Sequence, residues 1–188
     1  MPKDLPTEHE VLSSSTVYEG MIWNIQSETF EFDSQILTRD FVDHPGAVAV
    51  LLLNEKQELL MIRQYRHPVR AYLWEIPAGL TDVPGESRLE TAKRELREET
   101  GYEALDWEHL IDFYTTPGGN NEMISIFLAG SPRFATEEYV QEGEEVSLLV
   151  EWVPIREALT SVLKSEVKSP SAAVGIMALA QRLGILAN

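Results

Sequence analysis

GLTDVPGESRLETAKRELREETGY, running from Gly79 to Tyr102, is the stretch on which the reading of this 188-residue chain turns. Pro84 and Gly85 mark a loop. Leu89, Ala92 and Leu96 then recur at helical spacing and predict a helix over 89–100, with Gly101 placed as its C-terminal glycine. Glu95 and Glu99 stand four residues apart and Glu98 three after Glu95, so all three carboxylates lean to one side of that helix. Like charges at such spacing cost about 0.2–0.5 kcal/mol per pair in an isolated helix. Converging hard oxygen donors are what Mg²⁺, Mn²⁺ or Ca²⁺ takes as ligands. Arg94, four residues before Glu98, is placed to hold one of the carboxylates. For glutamates alone, a solvated charged face is the more ordinary explanation.

Working outward, the first dozen residues are polar and proline-punctuated and read as a loose arm. Thr16 to Val42 is strand-like: Thr29-Phe30-Glu31-Phe32 alternates, and Asp33-Ser34 offers a turn before Ile36. His44-Pro45-Gly46 breaks the chain. Ala47 to Leu53 is apolar throughout and predicts a strand buried on both faces. Asn54 to Gln57 is a polar turn, and Leu59 to Tyr65 reads as the returning strand of a hairpin. Met123 to Leu128 and Val146 to Val153 are further strands. Helices are expected over Ile155–Lys164 and from a Ser169 cap with Pro170 in the first turn to Gly184. Strands in quantity with three separated helices predict an α/β (α+β) fold.

Composition limits the chemistry. There is no cysteine, so disulfides, thiol nucleophiles and cysteine-bound zinc are excluded. The net charge of −16 disfavours nucleic acid and anionic membranes, because such binding is made by Lys and Arg neutralising phosphates. A phosphate-bearing ligand of so acidic a protein needs a bridging cation. The longest apolar run, seven residues from Ala47, is far short of the roughly 20 a membrane helix needs. With no signal-like run at Met1, a cytoplasmic protein is expected. The four histidines lack zinc spacing and read as surface or strand-end residues.

The segment resembles the signature box of the Nudix hydrolases, enzymes acting on nucleoside diphosphates linked to another group. Glu86, Arg94-Glu95-Leu96, Glu98-Glu99 and Gly101 match the box at its separations. Six of these positions, Glu86, Arg94, Glu95, Glu98, Glu99 and Gly101, coincide by chance at roughly one start in 10⁷, which decides against the solvated-helix explanation. Two departures are small. Six residues instead of five separate Gly79 from Glu86, and Tyr102 replaces the usual aliphatic. Arg63-Gln64-Tyr65-Arg66, Trp74-Glu75-Ile76-Pro77-Ala78-Gly79 and Thr116-Pro117-Gly118 are similar to the ADP-ribose pyrophosphatase branch of that family.

The resemblance implies a Nudix-type α/β/α sandwich with a mixed sheet over 46–188, preceded by an antiparallel N-terminal β region over 1–45. It implies Mg²⁺, with Mn²⁺ as a substitute, held by Glu95, Glu99 and Glu98 with the Ala78 carbonyl and a loop glutamate such as Glu144. Glu142, Glu144 or Glu145, or Glu98 in the box, would act on the attacking water. Gly79, Glu86, Arg94 and Gly101 would shape the box. Arg63, Arg66, Glu75, Pro117 and Gly118 would contact the nucleotide sugar, and Trp23 or Tyr18 the adenine, in a homodimer. The expected reaction splits ADP-ribose into AMP and ribose 5-phosphate; the alternatives are hydrolysis of another nucleoside diphosphate derivative, such as GDP-mannose, NADH or a dinucleoside polyphosphate, and a nucleotide-sensing Nudix domain without catalysis.

Overall fold

The computed structural model describes residues 1–136 and 148–186. The chain divides into two compact units, residues 1–45 with 114–122, and residues 46–113 with 123–188.

The first unit is built on a three-stranded antiparallel sheet in the order β1 (Val11–Glu19), β2 (Asn24–Phe32), β3 (Gln35–Asp43). β1 begins at Val11, earlier than the expected Thr16, because pairing with β2 recruits the polar Ser13-Ser14-Ser15 run. Between β2 and β3, Asp33 and Ser34 both adopt positive φ, 46° and 64°. That is the backbone of a two-residue hairpin turn whose twist matches the flanking strands. The 115–122 turn is bound to the end of β3. The Val42 N–H donates to the Gly119 carbonyl at 3.0 Å, and the Asn121 side chain donates to Asp43 at 2.8 Å.

The second unit is organised around β4 (Ala47–Leu52), whose six residues are all buried. Its neighbours are β7 (Ala78–Leu80), antiparallel, and β9 (Met123–Phe134), parallel, with β8 (Tyr102–Tyr114) beyond β9. A second sheet is ordered β10 (Leu149–Pro154), β5 (Glu58–Arg66), β6 (Ala71–Glu75). β5 is therefore not the hairpin partner of β4. The two strands touch through one bridge, Leu53 to Leu59, and then separate into different sheets. The reason is that β4 already has β7 and β9 on its two edges, which leaves β5 to pair with β6 and β10.

Alternation along β4 divides the interior into two cores. Ala47, Ala49 and Leu51 pack with residues of α2 (Ile155–Leu163) and α3 (Pro170–Arg182), among them Ile155, Leu159, Ile176 and Leu179. Val48, Val50 and Leu52 pack with Ala92 and Leu96 of α1 (Arg88–Thr100). This is the α/β/α layering that the resemblance implied.

α1 has a defined start and stop. The Ser87 side chain accepts from the Glu90 N–H, and Gly101 closes the last turn at φ 71°, donating its N–H to the Arg97 carbonyl. Ser169, expected as a side-chain cap, is instead buried with its hydroxyl against that of Ser171. β6, β7 and β8 were not anticipated. β8 mixes acidic and apolar residues without clean alternation, and most of it is half-buried or exposed.

Leu96 is fully buried on the face of α1 that meets β4. Leu96→Ala is expected to lower the stability by about 2–5 kcal/mol in urea unfolding. Leu105→Ala, at a side chain 62 % exposed, is expected to change it by less than about 0.5 kcal/mol.

Candidate active site

The carboxylate face of α1 is organised by one guanidinium. Arg94 Nη1 donates to Glu95 Oε1 at 2.6 Å and to Glu98 Oε2 at 2.9 Å. Its Nε and Nη2 reach the two oxygens of Glu86, each at 3.3 Å. Glu86 also accepts from the Thr91 hydroxyl at 2.9 Å. Sequence spacing assigned Arg94 one carboxylate; it holds three. The extra partner, Glu86, lies in the loop before α1, so its approach depends on how that loop returns to the helix.

The electrostatics follow from these bonds. Hydrogen bonds from Arg94 and then Thr91 hold Glu86 below the usual carboxylate range. Burial by itself would lower the pKa of Arg94, but its bonds to Glu86, Glu98 and Glu95 outweigh that and raise it. The guanidinium therefore stays charged at every pH at which the protein is folded.

The next turn of α1 lies against β7. Glu99 is buried and its Oε2 accepts from the Ala78 N–H at 3.0 Å. Glu95 passes over Gly79, where a methyl group would sit 1.9–2.4 Å from the Glu95 side chain. A side chain at residue 79 would have to displace the Glu95 carboxylate from this position. The structure brings together Ala78, Gly79, Glu95 and Glu99, with Glu98, Arg94 and Glu86 alongside.

These donors fit a hard divalent cation by chemistry: three carboxylates beside a main-chain segment that a glycine leaves open. Among the described residues no three acidic or histidine side chains already converge as a metal cage. The reason is visible in the bonds. Arg94 draws Glu86, Glu95 and Glu98 toward itself, and Glu99 turns to the Ala78 N–H. The ligand groups are gathered, and a divalent ion would compete with Arg94 for Glu95 and Glu98.

The remaining expected site residues divide by position. Arg63 and Arg66 are three apart on β5, which places them on opposite faces of the strand. They do not form one clamp. Arg66 makes a forked pair with Glu75, Nε to Oε1 at 3.0 Å and Nη2 to Oε2 at 2.8 Å, and Gln64 adds a 3.4 Å bond to the same carboxylate. Arg63 lies over the rings of Tyr72 and Trp74, 5.8 and 5.5 Å from their centroids. Trp23, Tyr18, Pro117 and Gly118 belong to the first unit. Glu142, Glu144 and Glu145 lie outside the described residues.

One functional candidate escaped the sequence reading. His44 is at a strand end, as expected, but it is not a surface residue. Its side chain is 6 % exposed and paired with Glu122, Nε2 to Oε1 at 3.3 Å. The only local signal is its place in the His44-Pro45-Gly46 break, and Glu122 is 78 positions later.

The Arg94 cluster generates a pH test. The folded pKa of Glu86 is depressed below 4.5, so its stabilisation is present above that value and is lost as pH falls through the lowered pKa. Arg94→Ala removes the cause of the depression. Urea unfolding is expected to show wild type more stable than the variant at pH 7, with the gap narrowing as pH is taken below 4.5. A gap that does not depend on pH would refute the coupling.

With this geometry established, comparison with known proteins places the chain. The NUDIX domain matches residues 43–173. The chain is 37 % identical over 173 residues to an ADP-ribose pyrophosphatase of Mycobacterium tuberculosis (strain ATCC 25618 / H37Rv), covering 92 % of this chain and 83 % of that protein. It is 33 % identical over 173 residues to an ADP-ribose pyrophosphatase of Bacillus subtilis (strain 168), covering 92 % of each. A crystal structure of an ADP compounds hydrolase superposes with a TM-score of 0.75 over 97 % of both chains at 21 % identity, a likeness of fold. The α/β/α layering, the Arg94-centred carboxylates on α1 and these matches agree: the chain belongs to the NUDIX family.

Proposed function

We propose that this protein hydrolyses the pyrophosphate bond of ADP-ribose and related ADP-sugars, releasing AMP and ribose 5-phosphate, with Mg²⁺ as its metal. The observation that carries the reading is the set of box carboxylates against β7, with Glu95 over Gly79 and Glu99 on the Ala78 N–H. Relatives named ADP-ribose pyrophosphatase, at 33–37 % identity, support the substrate.

Glu95, Glu98 and Glu99, with the Ala78 carbonyl, are the groups of the described residues that would hold the metal. When bound, a divalent ion supplies charge neutralisation of the pyrophosphate and a more acidic water. The protein needs that neutralisation more than most, since its own net charge is −16. Water oxygen bonds to phosphorus as the bridging P–O bond breaks. A glutamate among Glu142, Glu144 and Glu145, or Glu98, takes the water proton. Arg94 keeps Glu95 and Glu98 oriented. The Arg66–Glu75 pair and the stacked Arg63 offer separate contacts to the sugar phosphates, and Trp23 or Tyr18 a surface for adenine.

The proposal includes a homodimer made through the first unit. β1 is exposed along its whole length; Val11, Leu12, Val17 and Tyr18 on it, Ile22 in the turn that follows and Ile36 on β3 present apolar surface. A sheet with that much exposed apolar surface is the kind a second copy covers.

AMP release from ADP-ribose with Mg²⁺, against the same mixture with EDTA, tests the reaction. Glu99→Gln is expected to reduce turnover by at least a hundredfold with an unchanged circular dichroism spectrum. Near wild-type turnover at saturating Mg²⁺ would remove Glu99 from the metal site. Single replacements of Glu142, Glu144 and Glu145 by Gln are expected to single out one glutamate by a comparable loss. Three unaffected rates would move the proton acceptor to Glu98.

A further inference from the structure

Trp23 has an unusual setting for a half-exposed aromatic residue. It ends the Gly20–Trp23 turn between β1 and β2, which the Gly20 N–H closes onto the Trp23 carbonyl at 3.1 Å. A Cβ at residue 20 would lie 2.3 Å from that carbonyl oxygen, so the turn requires glycine. The indole is 45 % exposed, yet it is in ring contact with His44 at a centroid distance of 5.6 Å and an interplanar angle of 34°. His44 is itself held from two directions. Its backbone N–H donates to Asn121 Oδ1 at 2.8 Å, and its side chain meets Glu122 at 3.3 Å. The other oxygen of Glu122 accepts from the Thr115 hydroxyl at 2.6 Å. A line of contacts therefore runs from Trp23 through His44 and Glu122 to the base of the turn that carries Thr116, Pro117 and Gly118.

We propose that His44 is a positioning residue for nucleotide binding: anchored by Glu122, it backs Trp23 and so fixes that indole as a stacking platform for the nucleobase. This rests on the reading of the substrate as an adenine nucleotide and names the group that prepares its base contact. An exposed indole on the Gly20–Trp23 turn has two side-chain torsions to lose on binding. Contact with a ring that Glu122 anchors, on a backbone held by Asn121, removes part of that freedom beforehand, and preorganisation of this kind lowers the cost of association. The same anchor couples the platform to the 115–122 turn.

The test is a double-substitution cycle read by AMP binding, followed by isothermal titration calorimetry, and by KM for ADP-ribose. Trp23→Ala is expected to weaken AMP binding and raise KM about tenfold, the scale of one base-stacking contact. His44→Ala is expected to approach that loss, with the change falling on KM more than on kcat. The double variant should be no worse than Trp23→Ala, because His44 acts through Trp23. If His44→Ala does not fold, His44→Gln, which keeps a donor for Glu122, enters the same cycle. Wild-type AMP affinity in the His44 variant, or losses that add in the double variant, would overturn the proposal. So would a Trp23→Ala protein that binds AMP normally, and AMP release by that protein would leave the hydrolase reading intact. If the wild-type protein binds AMP by this cycle but does not cleave ADP-ribose, the hydrolase reading fails while the role of His44 holds.

Discussion

Crowding carboxylates onto one face of a helix is unfavourable, and in this protein a single guanidinium makes it tolerable. Arg94 binds Glu86, Glu95 and Glu98 together, and all four side chains are between 13 and 25 % exposed. At that depth solvent screens only part of the repulsion, and Arg94 neutralises more of it than exposed surface pairs would. The consequence is a helix whose Glu95 and Glu98 carboxylates are gathered around one cation, together with Glu86 from the loop before it.

The position of that face is set by β4. Because both faces of β4 are buried, α1 on one side and α2 with α3 on the other are fixed against the same strand. β7 pairs with β4 through Ala78, Gly79 and Leu80, which places the Ala78 N–H within reach of Glu99 and leaves Gly79 beneath Glu95. Core packing and site geometry therefore share residues. Leu96 seats α1 on β4, while its neighbours Glu95 and Glu99 turn toward β7.

The first unit follows a different logic. Its sheet has little interior of its own, and its ordered features are local: the positive-φ pair Asp33 and Ser34, the Gly20–Trp23 turn, and the His44–Glu122 pair. The 115–122 turn, distant in sequence from the strands, is tied to the end of β3 by main-chain bonds and by Asn121. Groups from both segments end beside each other there.

The box over 79–102 was legible from the sequence because its determinants are local. Helix spacing places Glu95, Glu98 and Glu99, Gly101 ends the helix, and no distant residue is needed to infer a hard-cation face. The apolar run at β4 declared its double burial for the same reason. Other features were decided only by tertiary structure. Arg94 holds three carboxylates instead of one because the loop carrying Glu86 folds back. Arg66 pairs with Glu75, and Arg63 lies over Tyr72 and Trp74, because β6 pairs with β5. β5 joins another sheet because the edges of β4 were already paired. The His44 side chain lies between Trp23 and Glu122, which are 21 and 78 residues away in sequence. Local spacing dictates what lies within a few residues along one element; which elements meet depends on the burial and pairing of the chain as a whole.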